Sequence, residues 1–156
     1  AEKPLEFASE ADAVIIGSGM KTREIARDTA LLSRIQLDPV RQMIGAQCSG
    51  TLLLSKLGHL GDSPACTDLT TKPWVVEPGV KVLDQPFSAN GNIATAGGCL
   101  SSQYLAAWVI ARGATHKDAE AAIHYVAPVG QKDEYVERAM ASVRAYLPEE
   151  AATTAA

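Results

Sequence analysis

The sequence predicts an α/β fold with three layers around a mainly parallel sheet. Three observations carry that reading. Asp12-Ala-Val-Ile-Ile-Gly17 is a continuous apolar, β-branched run, the pattern of a strand covered on both faces. Small residues and glycines follow the first two strand candidates, at Gly17-Ser18-Gly19 and Cys48-Ser49-Gly50. Strand and helix patterns then alternate along the chain with no internal repeat.

Each element has its own signal. Glycines after Ile16 suit a tight turn with exposed backbone N–H groups. Ile25, Ala26, Thr29, Leu32 and Ile35 recur at helical spacing, which predicts one amphipathic helix over Arg23–Ile35, stopped by Asp38-Pro39. Arg41–Ala46 reads as a second strand and Thr51–Lys56 as the opening of a helix that the glycines after Leu57 end. Ala65–Asp68 reads as a short third strand, and Thr70–Pro78, with two prolines, as loop. Asn90-Gly91 between Val80–Leu83 and Asn92–Thr95 is a hairpin signal. Ser101 is placed to cap a helix over Ser102–Arg112 whose buried face is Leu105, Trp108 and Val109. Lys117–Tyr125 and Lys132–Leu147 read as the closing helices.

Composition excludes several classes. The chain has 156 residues, 47% hydrophobic and 21% charged, which suits one globular domain. No run approaches the about 18 apolar residues of a membrane helix. Residues 1–10 carry three Glu and no apolar core, so no signal peptide is expected. Net charge is −4 and the 14 Lys and Arg form no stripe, so nucleic-acid binding by this chain is not expected. Cys48, Cys66 and Cys99 are an odd set with no metal-ligand spacing, which points to free thiols, a reducing cytoplasmic compartment and no metal. No phosphate loop or dinucleotide fingerprint is present, so no cofactor is expected. Residues 1–11 read as a leader or linker, 12–147 as the domain and 148–156 as a flexible tail.

The segment Ile44-Gly-Ala-Gln-Cys48-Ser-Gly-Thr51 holds the clearest chemistry. A strand running into a Cys, small residues around it and a helix at once behind it make the build of a nucleophile elbow. Such a turn lifts one side chain above the sheet edge and sets free N–H groups behind it, which lowers a thiol's pKa and holds an oxyanion. Cys48 is then the nucleophile, Ser49 supplies the next N–H and a hydroxyl, and Gly45 and Gly50 leave room for the turn. Gly17-Ser18-Gly19, at the end of the neighbouring strand, is placed to supply a second oxyanion N–H. The competing reading is a buried structural cysteine. Cys66 and Cys99 read as packing atoms. Thr67 is a lesser counterpart of Ser49, and Trp74 either walls a pocket or packs on the surface. His59 follows the elbow helix at its far end, and His116 opens a late helix, which argues against a Cys–His–Glu glutaminase.

Asp12–Gly19, Gln47-Cys48-Ser49-Gly50, Ala65-Cys66-Thr67-Asp68 and Asn90-Gly91-Asn92-Ile93-Ala94-Thr95-Ala96-Gly97-Gly98 together resemble the ThiJ/PfpI family, in its isonitrile-hydratase-like branch. The resemblance runs from Asp12 to about Tyr125. It implies a flavodoxin-like sandwich of the glutamine-amidotransferase type, with Cys48 and Ser49 as catalytic residues. It places Gly17, Ser18, Gly19, Gly50, Thr67 and Asp68 around the oxyanion and substrate. Two departures stand out. The family's opening strands, with an acidic residue that hydrogen-bonds the Cys, have no counterpart in residues 1–11, so a second polypeptide or a missing N-terminal segment is expected to complete the domain. Asp68 stands where the family often has His, and the plain reading there is a solvated loop Asp.

The function implied is a Cys-dependent small-molecule hydratase or hydrolase, a lyase such as one turning an isonitrile into an N-substituted formamide, in a homo-oligomer. Two alternatives stay open. One is a ligand-sensing domain like those of AraC-type transcription regulators. The other is a redox-responsive protein in which Cys48 becomes sulfinate.

Overall fold

The structure is a computed structural model that describes residues 2–148. Four short strands, β1 (Ala13–Ile16), β2 (Met43–Gln47), β3 (Phe87–Asn90) and β4 (Ile93–Ala96), form one sheet in the order β1-β2-β4-β3. β1, β2 and β4 run parallel, and β3 is antiparallel to β4. The register pairs Ile16 with Ala46 and Gln47 with Ala96. The carboxyl ends of the three parallel strands therefore lie side by side, and Gly17, Cys48 and Gly97 leave the sheet along one edge.

The period of two along the strands sorts their side chains into two layers. Ile16, Ile44, Ala46 and Ile93 pack with Leu54 of α3 (Gly50–Lys56). Further out on that face, Leu52 and Leu53 meet α1 (Thr22–Ile25), α2 (Thr29–Leu32) and α4 (Lys72–Val76). On the other face, Met43, Ala94 and Ala96 meet Leu105 and Trp108 of α5 (Ser102–Gly113), backed by α6 (His116–Val126) and α7 (Lys132–Val143). Trp108 is fully buried, and burying a side chain of that kind contributes about 1.5–3 kcal/mol. The result is the expected α/β sandwich with a mostly parallel sheet.

Several local expectations are corrected. The helix expected over Arg23–Ile35 is two four-residue helices, because the Asp28 carboxylate accepts the Leu31 N–H at 2.9 Å and starts the second. Both short helices keep the same apolar face, so the periodicity alone does not reveal the break. Thr70–Pro78, expected to be loop, contains α4. Pro73 sits in its first turn, where a missing N–H costs nothing.

The hairpin arm is Phe87–Asn90, not Val80–Leu83. The turn is Gly91-Asn92, with Gly91 at φ +57°, and a two-residue turn selects the segment that directly precedes it. Val82 instead makes one parallel bridge to Ala65, so Ala65–Asp68 is no strand of the main sheet. Ser101 stands at the start of α5 but does not cap it. Its hydroxyl donates to the Gly97 carbonyl, across a 3-10 turn over Cys99–Ser101. The last helix ends at Val143 and continues as a 3-10 turn, Arg144–Tyr146.

Leu5–Ser9 forms a 3-10 turn ahead of β1. The fully buried Gln42 amide donates to the carbonyls of Ala8 and Ala11 and ties this stretch to the base of β2. The expected tail lies outside the described residues from 149 onward.

Candidate active site

β2 ends by pairing, with the Cys48 N–H donating to the Ala96 carbonyl at 2.7 Å. The chain then turns sharply. Cys48 has φ +55°, the one non-glycine residue with positive φ among the described residues. Such a conformation costs about 1–3 kcal/mol and persists only where its surroundings impose it. Here they do. A Cβ on Gly50 would lie 2.2 Å from the Ile16 carbonyl oxygen, so glycine lets the first turn of α3 press against the end of β1. Thr67 Oγ1 donates to the Cys48 carbonyl at 2.9 Å, and Thr51 Oγ1 donates to the Cys66 carbonyl at 2.8 Å. Cys48 is thus held through both its N–H and its carbonyl, and the residue is only 6% exposed.

The Ser49 hydroxyl faces the turn after β1. It lies 3.1 Å from Ser18 Oγ and 3.0 Å from Thr22 Oγ1, and it accepts the Gly19 N–H at 3.3 Å. Thr22 Oγ1 in turn donates to the Gly19 carbonyl at 2.7 Å. Ser49 therefore braces one loop against the other. The Gly19 N–H, expected as an oxyanion donor, is spent on this brace. The groups that stabilise the Cys48 thiolate are the Ser18 hydroxyl and the Ser49 N–H.

The thiol's acidity runs against expectation. Burial pushes the Cys48 thiol above its ordinary pKa, and the Asp68 carboxylate adds to the rise. The Ser18 hydroxyl and Ser49 N–H oppose it without prevailing. The turn geometry alone suggested a lowered pKa; burial of the sulfur, with the Asp68 carboxylate adding to it, reverses the sign. At Asp68, burial works to raise the pKa, but hydrogen bonds from Thr71, the Cys48 thiol and the Thr70 N–H hold it below the usual carboxylate value. The Thr71 N–H reaches Oδ1 at 3.0 Å. Oδ2 is buried and has no hydrogen-bond partner of ordinary length. An acceptor left this way carries a desolvation cost. The expectation of a solvated loop Asp is corrected accordingly.

Cys48 and Asp68 open into one cavity of about 520 Å³, a size that suits a small molecule. Ser18, Gly19 and Ser49 also border it, whereas Gly17 and Gly50 do not. Thr67 borders an adjoining cavity of about 480 Å³, which shares Asp68. Met20, Thr22, Thr70 and Thr71 complete the lining, and Arg23 and Trp74 form its outer wall. Arg23 was hidden in the sequence as a solvent-facing helix position, and Thr70 and Thr71 as loop. Trp74 takes the wall position, one of the two expected for it.

Cys66 is fully buried, with its thiol pushed up to about 11 by burial, and borders neither cavity. Cys99 is exposed. His59 lies beyond the end of α3 against α2, held below its ordinary pKa by burial. His116 opens α6, as expected. Among the described residues, no group of three His, Cys, Asp or Glu is placed to hold a metal ion.

No family model matches the chain, and no curated protein does. Solved structures do match in fold. DJ-1 of Schizosaccharomyces pombe aligns at a TM-score of 0.52 and 20% identity, over 88% of this chain and 67% of that one. A two-domain protein from Anabaena variabilis with DJ-1/ThiJ/PfpI-like and ferritin-like domains aligns at 0.64 and 18%, over 85% of this chain and 37% of that one. A ThiJ/PfpI family protein from Pseudomonas syringae aligns at 0.52 and 15%, over 92% and 53%. The fold is therefore that of the DJ-1/ThiJ/PfpI proteins, and this chain spans only part of their length. No helix is long and apolar enough to cross a membrane among the described residues.

Proposed function

We propose that the chain carries a Cys-dependent catalytic site for hydration or hydrolysis of a small electrophile, with Cys48 as nucleophile and Asp68 as its proton partner. The single observation behind this reading is a thiol at a positive-φ turn, facing a carboxylate with a buried, unpartnered oxygen, inside a cavity of about 520 Å³. The likeness in fold to DJ-1/ThiJ/PfpI proteins supports the general type.

For an isonitrile the steps balance within this chain's residues. The thiol proton moves to the Asp68 carboxylate as sulfur bonds to the terminal carbon, and Asp68 returns it to that carbon. The product is a thioimidate ester on Cys48. Water then adds to the carbon, its second proton going to nitrogen. The C–S bond breaks, the thiol regains its proton, and an N-substituted formamide leaves. Through each addition the Ser18 hydroxyl and Ser49 N–H hold negative charge near the sulfur.

The test is formamide release from an alkyl isonitrile, followed beside hydrolysis of simple amides. Cys48→Ala is expected to remove turnover altogether. Turnover unchanged by that substitution would overturn the mechanism. Saturable ligand binding with no turnover by the native protein would transfer the site to the ligand-sensing reading.

A further inference from the structure

Among the described residues that line the Cys48 cavity, Arg23 is the one cation and Asp68 the one anion. They play unlike parts. Asp68 is engaged with Thr70, Thr71 and the thiol. The Arg23 guanidinium lies 3.6 Å from the centroid of the Trp74 ring, and this stacking is the interaction it makes among the described residues. A guanidinium that close to the indole face is held there by cation–π attraction. Among the described residues, no acceptor meets its N–H donors. A planar fork of donors matches the two oxygens of a carboxylate.

The two charges also set a direction. Asp68 repels an anionic group from the thiol end of the cavity, while Arg23 attracts one to the outer wall. A ligand with a carboxylate at one end and an electrophilic carbon at the other is turned so that the carbon meets Cys48. We propose that the substrate of this pocket carries a carboxylate, and that Arg23, held by Trp74, is the residue that selects it. The inference rests on reading this cavity as the reaction pocket of Cys48.

Binding and reactivity are tested apart. In Cys48→Ala, Trp74 emission is titrated with propionate and succinate, with propionamide and succinamide, and with inorganic phosphate. Trp108, fully buried elsewhere, supplies a constant background. The carboxylates are expected to bind saturably and at least about tenfold more tightly than the amides. Arg23→Gln removes that preference, and Arg23→Lys, which keeps the charge and loses the fork, restores only part of it. Equal affinity for amides and carboxylates, or no change in Arg23→Gln, overturns the proposal. So does binding confined to phosphate.

In the native protein, labelling of Cys48 by 3-maleimidopropionate is compared with that by N-ethylmaleimide. Faster labelling by the carboxylate reagent, lost in Arg23→Gln, supports the proposal. Equal rates that Arg23→Gln leaves unchanged overturn it while the nucleophile stands. Carboxylate binding without labelling by either reagent keeps Arg23 as the selector and removes Cys48 as the nucleophile.

Discussion

Cys48 sits between opposing influences, and their balance decides how it reacts. Burial and the Asp68 carboxylate hold its pKa up, while the Ser18 hydroxyl and Ser49 N–H draw it down. With the folded pKa above the ordinary thiol value, the thiolate fraction near neutrality is smaller than for a free cysteine. It rises only as the pH climbs past that raised value. Iodoacetamide is therefore expected to label Cys48 more slowly at pH 7 than it labels a free thiol. Asp68→Asn removes the negative charge, lowers the thiol pKa and speeds labelling by about three- to tenfold. On the proposed role of Asp68 as proton acceptor, the same substitution is expected to slow turnover. Labelling and turnover moving in the same direction would show that Asp68 does not serve the reaction. Mass spectrometry of the labelled cysteine across pH 6–10, beside the turnover assay, reads both.

At the scale of elements, the site depends on how α3 meets β1. Gly50 permits that contact, since a Cβ there would run into the Ile16 carbonyl at 2.2 Å and the Gly17 carbonyl at 3.0 Å. Backbone atoms of an ordered strand cannot yield as a side chain does. Gly50→Ala is expected to cost about 2–4 kcal/mol in chemical denaturation. It also shifts the turn that aims Cys48, so labelling at Cys48 changes in whatever fraction stays folded. A fully stable Gly50→Ala protein with native labelling would show that the close approach does not set the turn. The Ser49 brace to Ser18, Gly19 and Thr22 works at the same scale, tying the loop after β1 to the start of α3.

At the scale of the whole molecule, β1 is an edge strand with the apolar sequence Ala-Val-Ile-Ile, and Ile15 is 49% exposed. Its outer edge carries no charge, proline or bulge of the kind that protects open edges. We propose that a second copy of this chain pairs with β1 and covers Ile15. The chain is then expected to run above monomer mass in light scattering, with a melting temperature that rises with protein concentration. A monomer with a concentration-independent melt would overturn this.

The alternation of periods carried the fold class, the parallel strands at Ala13–Ile16 and Met43–Gln47, and the long helices near the carboxyl end. Those features rest on local patterns of burial, and local patterns are written in the residues themselves. Cys48 was legible for the same reason, since a strand, small residues and a helix start are adjacent in sequence. Other features were not. Asp28 splitting a helix depends on a side-chain bond that periodicity does not register. The choice of Phe87–Asn90 over Val80–Leu83 follows from the length of the turn, two residues at Gly91-Asn92, which the apolar pattern of the arms does not register. The rise of the Cys48 pKa depends on burial of the sulfur under the fold and on a carboxylate 20 positions away in the chain, and the contact of Arg23 with Trp74 joins two helices 51 positions apart. By itself the sequence determined the layers and the residue at the turn. The charges that face that residue, and the wall that closes its cavity, were decided only by tertiary packing, because electrostatic and stacking contacts act through space and leave no period in the chain.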